Sequence, residues 1–227
     1  EVDRCFFAME LVEGETLETR VRRDGPLNAG FALDLSIQVA RALTAAANQG
    51  LIHRDLKPAN IMLTVNQAAD SEQWEAKVID FGLAKSTLDA AGERDLTPGG
   101  FVGTPTFASP EQLGGAPVDA RSDIYSLGVT LWYALTGEVP YTGKTIEEIR
   151  SRHERLALPI RQLTSRNVPA PLVALLRRTL AVDARQRPTS SRELLASLES
   201  CRAQIDASHQ TALRWRWALV AAIVVAI

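Results

Sequence analysis

The chain has 227 residues, 46% of them hydrophobic, which is enough for one domain or a little more around a real apolar core. Twenty-five basic side chains against 27 acidic ones leave a formal net charge of −2, so neither nucleic acid nor a broadly anionic surface is indicated as a partner. The two cysteines, Cys5 and Cys201, stand far apart and read as reduced thiols, with no disulfide framework and no zinc site.

The first residues form an apolar run, Cys5-Phe6-Phe7-Ala8-Met9, with no initiator methionine and no signal peptide, so the chain is expected to be part of a longer one. Residues 5–12 predict a short strand ended by Glu13-Gly14. Over 28–49, Leu33, Ile37, Ala40, Leu43 and Ala47 recur at helical spacing, and Gly50 is a natural stop. Residues 61–64 and 76–79 read as two short strands, joined by a polar loop that is long for a hairpin. Residues 85–100 lack periodicity, contain several breakers and predict a mobile loop. Further helices are expected over 122–135, with Gly137 just beyond, and over 169–180 and 190–200. The last begins with Ser190 and Glu193 at capping-box spacing. Strands thus come early and helices late, an α+β pattern without internal repeats. The chain closes on eleven uncharged residues, 217–227, where a membrane span needs about 20. They are expected to be the first half of a span.

Three polar residues stand at a telling spacing. Asp55 is followed by Asn60 five residues later, and by Asp80-Phe81-Gly82 twenty residues after that. A lone Asp or Asn in a loop is usually a turn former. Here one carboxylate precedes the strand pair and the other follows it, so a hairpin carries both to one rim. Phosphoryl transfer from ATP needs such a rim, with a carboxylate to accept the acceptor's hydroxyl proton and oxygen ligands for Mg²⁺.

The strings around these residues, His53-Arg54-Asp55-Leu56-Lys57-Pro58-Ala59-Asn60, Asp80-Phe81-Gly82 and Ser109-Pro110-Glu111, make the chain resemble the eukaryotic-like serine/threonine protein kinases of bacteria from Phe6 to Ser200. The resemblance implies a protein-kinase-like α+β fold, with a mainly helical C-terminal lobe, a hinge and a remnant of the N-terminal sheet. It implies a kinase domain over 1–200, with the last small-lobe strand and the hinge in 1–14. A juxtamembrane linker over 201–213 and the start of a transmembrane helix at 214–227 are expected to follow.

By the same resemblance, Asp55 is the catalytic base, Asn60 and Asp80 hold Mg²⁺, and Lys57 meets the transferring γ-phosphate. Thr104 bonds Asp55 and Lys57 and helps seat the acceptor. Met9, Glu10 and Val12 belong to the hinge, with Met9 as gatekeeper. Thr16 lies near the ribose and Met62 floors the adenine. Arg54 implies activation by loop phosphorylation, for which Thr97 is best placed among Ser86, Thr87 and Thr97. His53 is a packing residue stacked on Phe81, with Gly82 completing that motif. Asp123 braces the catalytic loop, and Glu111 pairs with Arg187. ATP and Mg²⁺ are the implied cofactors, proteins bearing Ser or Thr the implied substrates, and a homodimer the setting for autophosphorylation in trans.

The chain contains no glycine-rich phosphate loop, no V-A-I-K lysine and no partner glutamate, so residues 1–227 alone are expected to bind ATP poorly. At the other end, Arg214, Trp215, Arg216 and Trp217 precede the apolar run. Basic residues beside a span favour the cytoplasm and Trp favours the interface. The expectation is a single-pass cell-membrane protein with its catalytic domain in the cytoplasm, acting in signal transduction. Two other readings rank lower. A pseudokinase scaffold usually lacks one of the base or metal ligands, all present here, and small-molecule phosphotransferases generally lack the Lys57 pattern and the Gly103-Thr104…Ser109-Pro110-Glu111 stretch.

Overall fold

The computed structural model describes residues 10–66, 73–81 and 105–225. In chain order these form β1 (Glu15–Thr16), α1 (Leu17–Asp24), α2 (Ala29–Ala47), β2 (Ile61–Asn66), β3 (Gln73–Val78), α3 (Pro110–Gly114), α4 (Ala120–Thr136), α5 (Ile146–Arg155), α6 (Arg161–Thr164), α7 (Ala170–Thr179) and α8 (Ser191–Val225). Short 3₁₀ turns stand at Pro58–Asn60, Pro105–Phe107 and Ala184–Gln186. Of the strand expected over 5–12, residues 5–9 lie outside the described residues and 10–12 are not in a strand. The segment 85–100 also lies outside them.

Helix α2 organises the core. Asn28 caps it by accepting from the Phe31 amide, and Gly50 closes it with φ +72°. Leu33, Ile37, Ala40 and Leu43 are buried as their spacing requires, and α2 packs on α4, α8 and β3. Gln38 fastens the sheet to this helix. Its amide nitrogen donates to the Trp74 carbonyl at 3.1 Å, and its oxygen accepts from the Ala76 amide at 2.8 Å. The sheet is antiparallel with order β1-β2-β3, pairing Thr16 with Met62 and Ile61 with Val78.

Helix α4 is buried on nearly every side from Ser122 to Thr136, which suits a helix that neighbours surround. It exceeds the expected 122–135 by a turn's fraction at each end because Asp119 caps its start and Gly137, at φ +77°, its end. Helix α8 departs furthest from expectation, running from Ser191 to Val225, through the residues expected to be a linker. Its stripe Leu194, Leu198, Cys201 and Ile205 keeps helical spacing past Ser200 and is buried in the core. Two ion pairs tie it to α2, Arg41–Glu199 at 2.8 Å and Arg202–Asp34 at 3.2 Å. Cys201 is a free thiol, and burial pushes its pKa up. Among the described residues, no helix is long and apolar enough to cross a membrane.

Beside α4, helix α5 contributes Ile149 and His153 to the interior. The His153 ring packs edge-on against Tyr125 and Tyr141, and its Nε2 shares a 3.1 Å hydrogen bond with the Tyr125 hydroxyl. Burial first, and the nearby Arg187 charge second, lower its pKa from 6.5 to about 4. As pH falls from about 6.5 to about 4, the unfolded chain therefore takes up this proton before the folded one does. The associated stability is whole above that window and drains away within it. Thermal melts over this pH range should fall more steeply for the wild type than for His153→Gln; identical slopes would contradict the assignment.

Candidate active site

The loop between α2 and β2 is built around two backbone amides and one buried carboxylate. Asp123, 4% exposed on α4, accepts from the His53 amide through Oδ2 and from the Arg54 amide through Oδ1, both at 2.8 Å. Burial pushes the Asp123 carboxyl up from its ordinary value, and the two amide donors pull against it. This grip has a structural consequence. Arg54 sits at φ +63°, a left-handed conformation that costs a non-glycine residue roughly 1–2 kcal/mol, and it persists because the surroundings fix it.

His53 is fully buried beneath the loop. Its Nε2 meets the Ile79 carbonyl at 3.1 Å and its Nδ1 accepts from the Asp55 amide at 3.3 Å, the pattern of a neutral imidazole protonated on Nε2. Its ring lies 4.7 Å, centroid to centroid, from that of Phe81. The ring is thus occupied on both nitrogens and one face, a packing and orienting role. Above it, Lys57 Nζ donates to Asp55 Oδ2 at 2.9 Å, both side chains about a quarter exposed. Asn60 Nδ2 donates to the Asp55 carbonyl at 2.9 Å. Asp55, Lys57 and Asn60 therefore form one cluster, held from below by Asp123 and His53.

The hairpin register brings the second carboxylate to this cluster. The Ile79 amide donates to the Asn60 carbonyl at 3.0 Å, so Asp80, one residue on, stands at the mouth of the strand pair beside Asn60. Asp80 is exposed and also left-handed, at φ +56°. Asn60 commits its amide nitrogen to Asp55, which turns its amide oxygen the other way. An amide oxygen and an exposed carboxylate are both hard oxygen donors, the kind that suits Mg²⁺. These residues fit the ion that the sequence implies.

The nucleotide-side residues are only partly described. Thr16 and Met62 face each other across β1 and β2, so the two sequence positions assigned to ribose and adenine are neighbours. The Thr16 hydroxyl caps α1 by accepting from the Thr19 amide at 3.1 Å. Val12 is half-buried, and Glu10 accepts from Lys77 Nζ at 2.9 Å, tethering the expected hinge to β3. Met9, Gly82, Thr97 and Thr104 lie outside the described residues.

Behind the loop, Glu111 and Arg187 form a bidentate pair at 2.7 and 2.9 Å, and Ser122 donates to Glu111 at 2.6 Å. Burial works to raise the Glu111 carboxyl, but Arg187 and Ser122 outweigh it and hold the group below its ordinary value. One residue the sequence reading passed over joins this assembly to the catalytic loop: Gln112, whose Nε2 donates to the Arg54 carbonyl at 2.7 Å. A usable signal was present, since Ser109 and Gln112 have capping-box spacing and form that box.

The chain is similar to known proteins over most of its length. A family model described as "Protein kinase domain" matches residues 1–198. Serine/threonine-protein kinase pkn2 of Myxococcus xanthus is 38% identical over 207 residues, covering 90% of this chain and 24% of that protein. Serine/threonine-protein kinase PknB of Mycobacterium tuberculosis is 35% identical over 193 residues, covering 85% of this chain and 30% of that protein. The chain thus spans about a quarter of the length of the first relative and under a third of the second. The crystal structure of Rad53 1–466 in complex with AMP-PNP superposes with a TM-score of 0.64 at 23% identity, over 82% of this chain and 44% of that one, a likeness of fold.

Proposed function

The chain belongs to the protein kinase domain family, in the eukaryotic-like form of the bacterial serine/threonine kinases, and from that premise we propose that its gene product transfers the γ-phosphoryl group of ATP to serine and threonine hydroxyls of proteins. The fold is the expected one, a mainly helical α+β body with a small antiparallel sheet. The observation that carries the activity is the joining of Asp55, Lys57 and Asn60 in one hydrogen-bonded cluster at the rim where Asp80 emerges.

In this reading Asp55 orients the acceptor hydroxyl and takes its proton as the oxygen bonds to the γ-phosphorus. The bond from that phosphorus to the β,γ-bridging oxygen breaks, and ADP departs. Lys57, already beside Asp55, offers its ammonium to the transferring phosphoryl oxygens. Asn60 and Asp80 would hold Mg²⁺, which supplies charge neutralisation at the phosphates when bound. In this reading Glu10, Val12, Thr16 and Met62 stand on the nucleotide side, and the family resemblance assigns Met9 the gatekeeper role and Thr104 the seating of the acceptor. Arg54 receives a phosphate on the loop, at Thr97, delivered by a second copy of the protein.

We further place this activity at a membrane, in signal transduction, with the catalytic domain cytoplasmic. Support comes from Arg214 and Arg216 interleaved with Trp215 and Trp217 ahead of an uncharged run. One experiment separates these readings. Cells producing the full-length gene product are fractionated, the membranes are washed with carbonate, and both fractions receive ATP, Mg²⁺ and an acceptor protein. Mass spectrometry should find phosphoserine and phosphothreonine formed by the membrane fraction, with Thr97 modified in a protein-concentration-dependent manner. Transfer confined to the supernatant overturns the membrane placement alone. Bound nucleotide without transfer in either fraction overturns the kinase reading and marks a scaffold.

A further inference from the structure

We propose that Gln112 is a positioning residue for Asp55, transmitting the placement of α3 to the catalytic loop; this rests on the kinase reading above. The peptide that joins Arg54 to Asp55 sets the direction in which Asp55 leaves the loop, and it is gripped at both ends. Its N–H donates to His53 Nδ1 at 3.3 Å, and its carbonyl accepts from Gln112 Nε2 at 2.7 Å. The preceding amide, Arg54 N–H, is held by Asp123 at 2.8 Å. Arg54 is the residue with φ +63°, so an L-residue in an unfavourable conformation is pinned on its amide side by α4 and on its carbonyl side by α3.

The orientation of the Gln112 amide is fixed by its partners. Its oxygen accepts from the Ser109 amide at 3.0 Å, a donor that cannot reverse its role, so its nitrogen must face the Arg54 carbonyl, which can only accept. The Ser109 hydroxyl donates to the same oxygen at 3.1 Å and itself accepts from the Gln112 backbone N–H at 3.3 Å. The base of this lever is stiff, because the neighbouring Glu111 is locked by Arg187 and Ser122. Any movement of α3 is therefore passed through one side chain to the peptide ahead of Asp55.

The two halves of Gln112 can be separated. Gln112→Glu keeps an oxygen for Ser109, as glutamate does in the usual capping box, but presents no donor to the Arg54 carbonyl. In the full-length gene product this variant should lose about tenfold or more in kcat, since a misplacement of about 1 Å can cost ~10²-fold. The KM for ATP should stay within about twofold, and the loss of melting temperature should be smaller than that of Gln112→Leu. Amide hydrogen exchange over 54–57 should quicken while that of α3 does not. Gln112→Leu, which removes both halves, should add a loss of melting temperature to the same loss of kcat.

A Gln112→Glu enzyme with wild-type kcat and unchanged exchange over 54–57 overturns the inference. So does a fall in kcat accompanied by a loss of melting temperature as large as that of Gln112→Leu, or by an equal rise in KM, which marks a merely structural residue. A wild type without transfer overturns instead the kinase reading, and unchanged exchange in the variant would then still count against the clamp itself.

Discussion

Asp55→Asn in the full-length gene product should lower phosphoryl transfer by roughly 10²–10⁴-fold, the contribution typical of a positioned general base. The substitution is nearly isosteric and spares the architecture. Asn60 Nδ2 bonds the Asp55 backbone carbonyl at 2.9 Å and, at 3.4 Å, Asp55 Oδ2, an acceptor oxygen that the new amide can still supply, while the His53 and Asp123 contacts grip backbone amides. The new side-chain oxygen can still accept from Lys57. The lost ion pair is a quarter exposed, a class worth about 0–1 kcal/mol, so unfolding should change little. A steady-state assay beside a urea melt checks both halves. Equal rates for variant and wild type would remove Asp55 as the base, and a collapsed melt would make it a structural residue.

Arg187→Ala should produce the largest loss of stability among these substitutions. All five guanidinium N–H groups are used: Nε on the Ala181 carbonyl, one terminal nitrogen on Glu111 and the Arg121 carbonyl, the other on Glu111 and the Val182 carbonyl. The guanidinium also lies 4.9 Å from the Tyr125 ring centroid. Truncation strands the largely buried Glu111 carboxylate and three carbonyls, which should cost about 3–5 kcal/mol. Domains are stable by only about 5–15 kcal/mol, so this is a large share. Arg187→Lys should recover little, because an ammonium cannot reproduce the two-pronged contact. Since Glu111 is held below its ordinary pKa of 4.5, the pair's contribution is full above that pH and lost as pH falls through the lower, folded value. Urea midpoints would measure the loss, and a change under about 1 kcal/mol would contradict it.

What could be read from the chain alone followed from the kind of signal each element carries. Helix α2 was legible because its buried face repeats at helical spacing between an Asn cap and a glycine stop. Helices α1 and α5 were not, since each buries only two residues, Leu17 with Val21 and Ile149 with His153, too few for a period. Their starts were nonetheless marked by Thr16 and Thr145, which cap them. Helix α8 was cut short because the arginines, glutamates and glutamine after Ser190 obscure a stripe that continues to Ile205.

In the site, Asp55, Asn60 and Asp80 were legible through their chemistry and spacing. The left-handed turns at Arg54 and Asp80 were not, because side-chain identity gives no sign of a conformation that only tertiary contacts sustain. Gln112 was hidden for a related reason: its partner is a backbone carbonyl 58 positions away, which no sequence pattern names.

The most direct measurement is a Mg²⁺ titration of labelled-phosphate transfer from ATP by the full-length gene product, with wild type, Asp80→Asn and Asp55→Asn run in parallel. With the roles proposed above, Asp80→Asn should shift the Mg²⁺ requirement upward, as the loss of a metal ligand would. Asp55→Asn should leave that requirement in place and lower the plateau, as the loss of the proposed base would. Superimposable curves for the three proteins would contradict the division of labour at this rim.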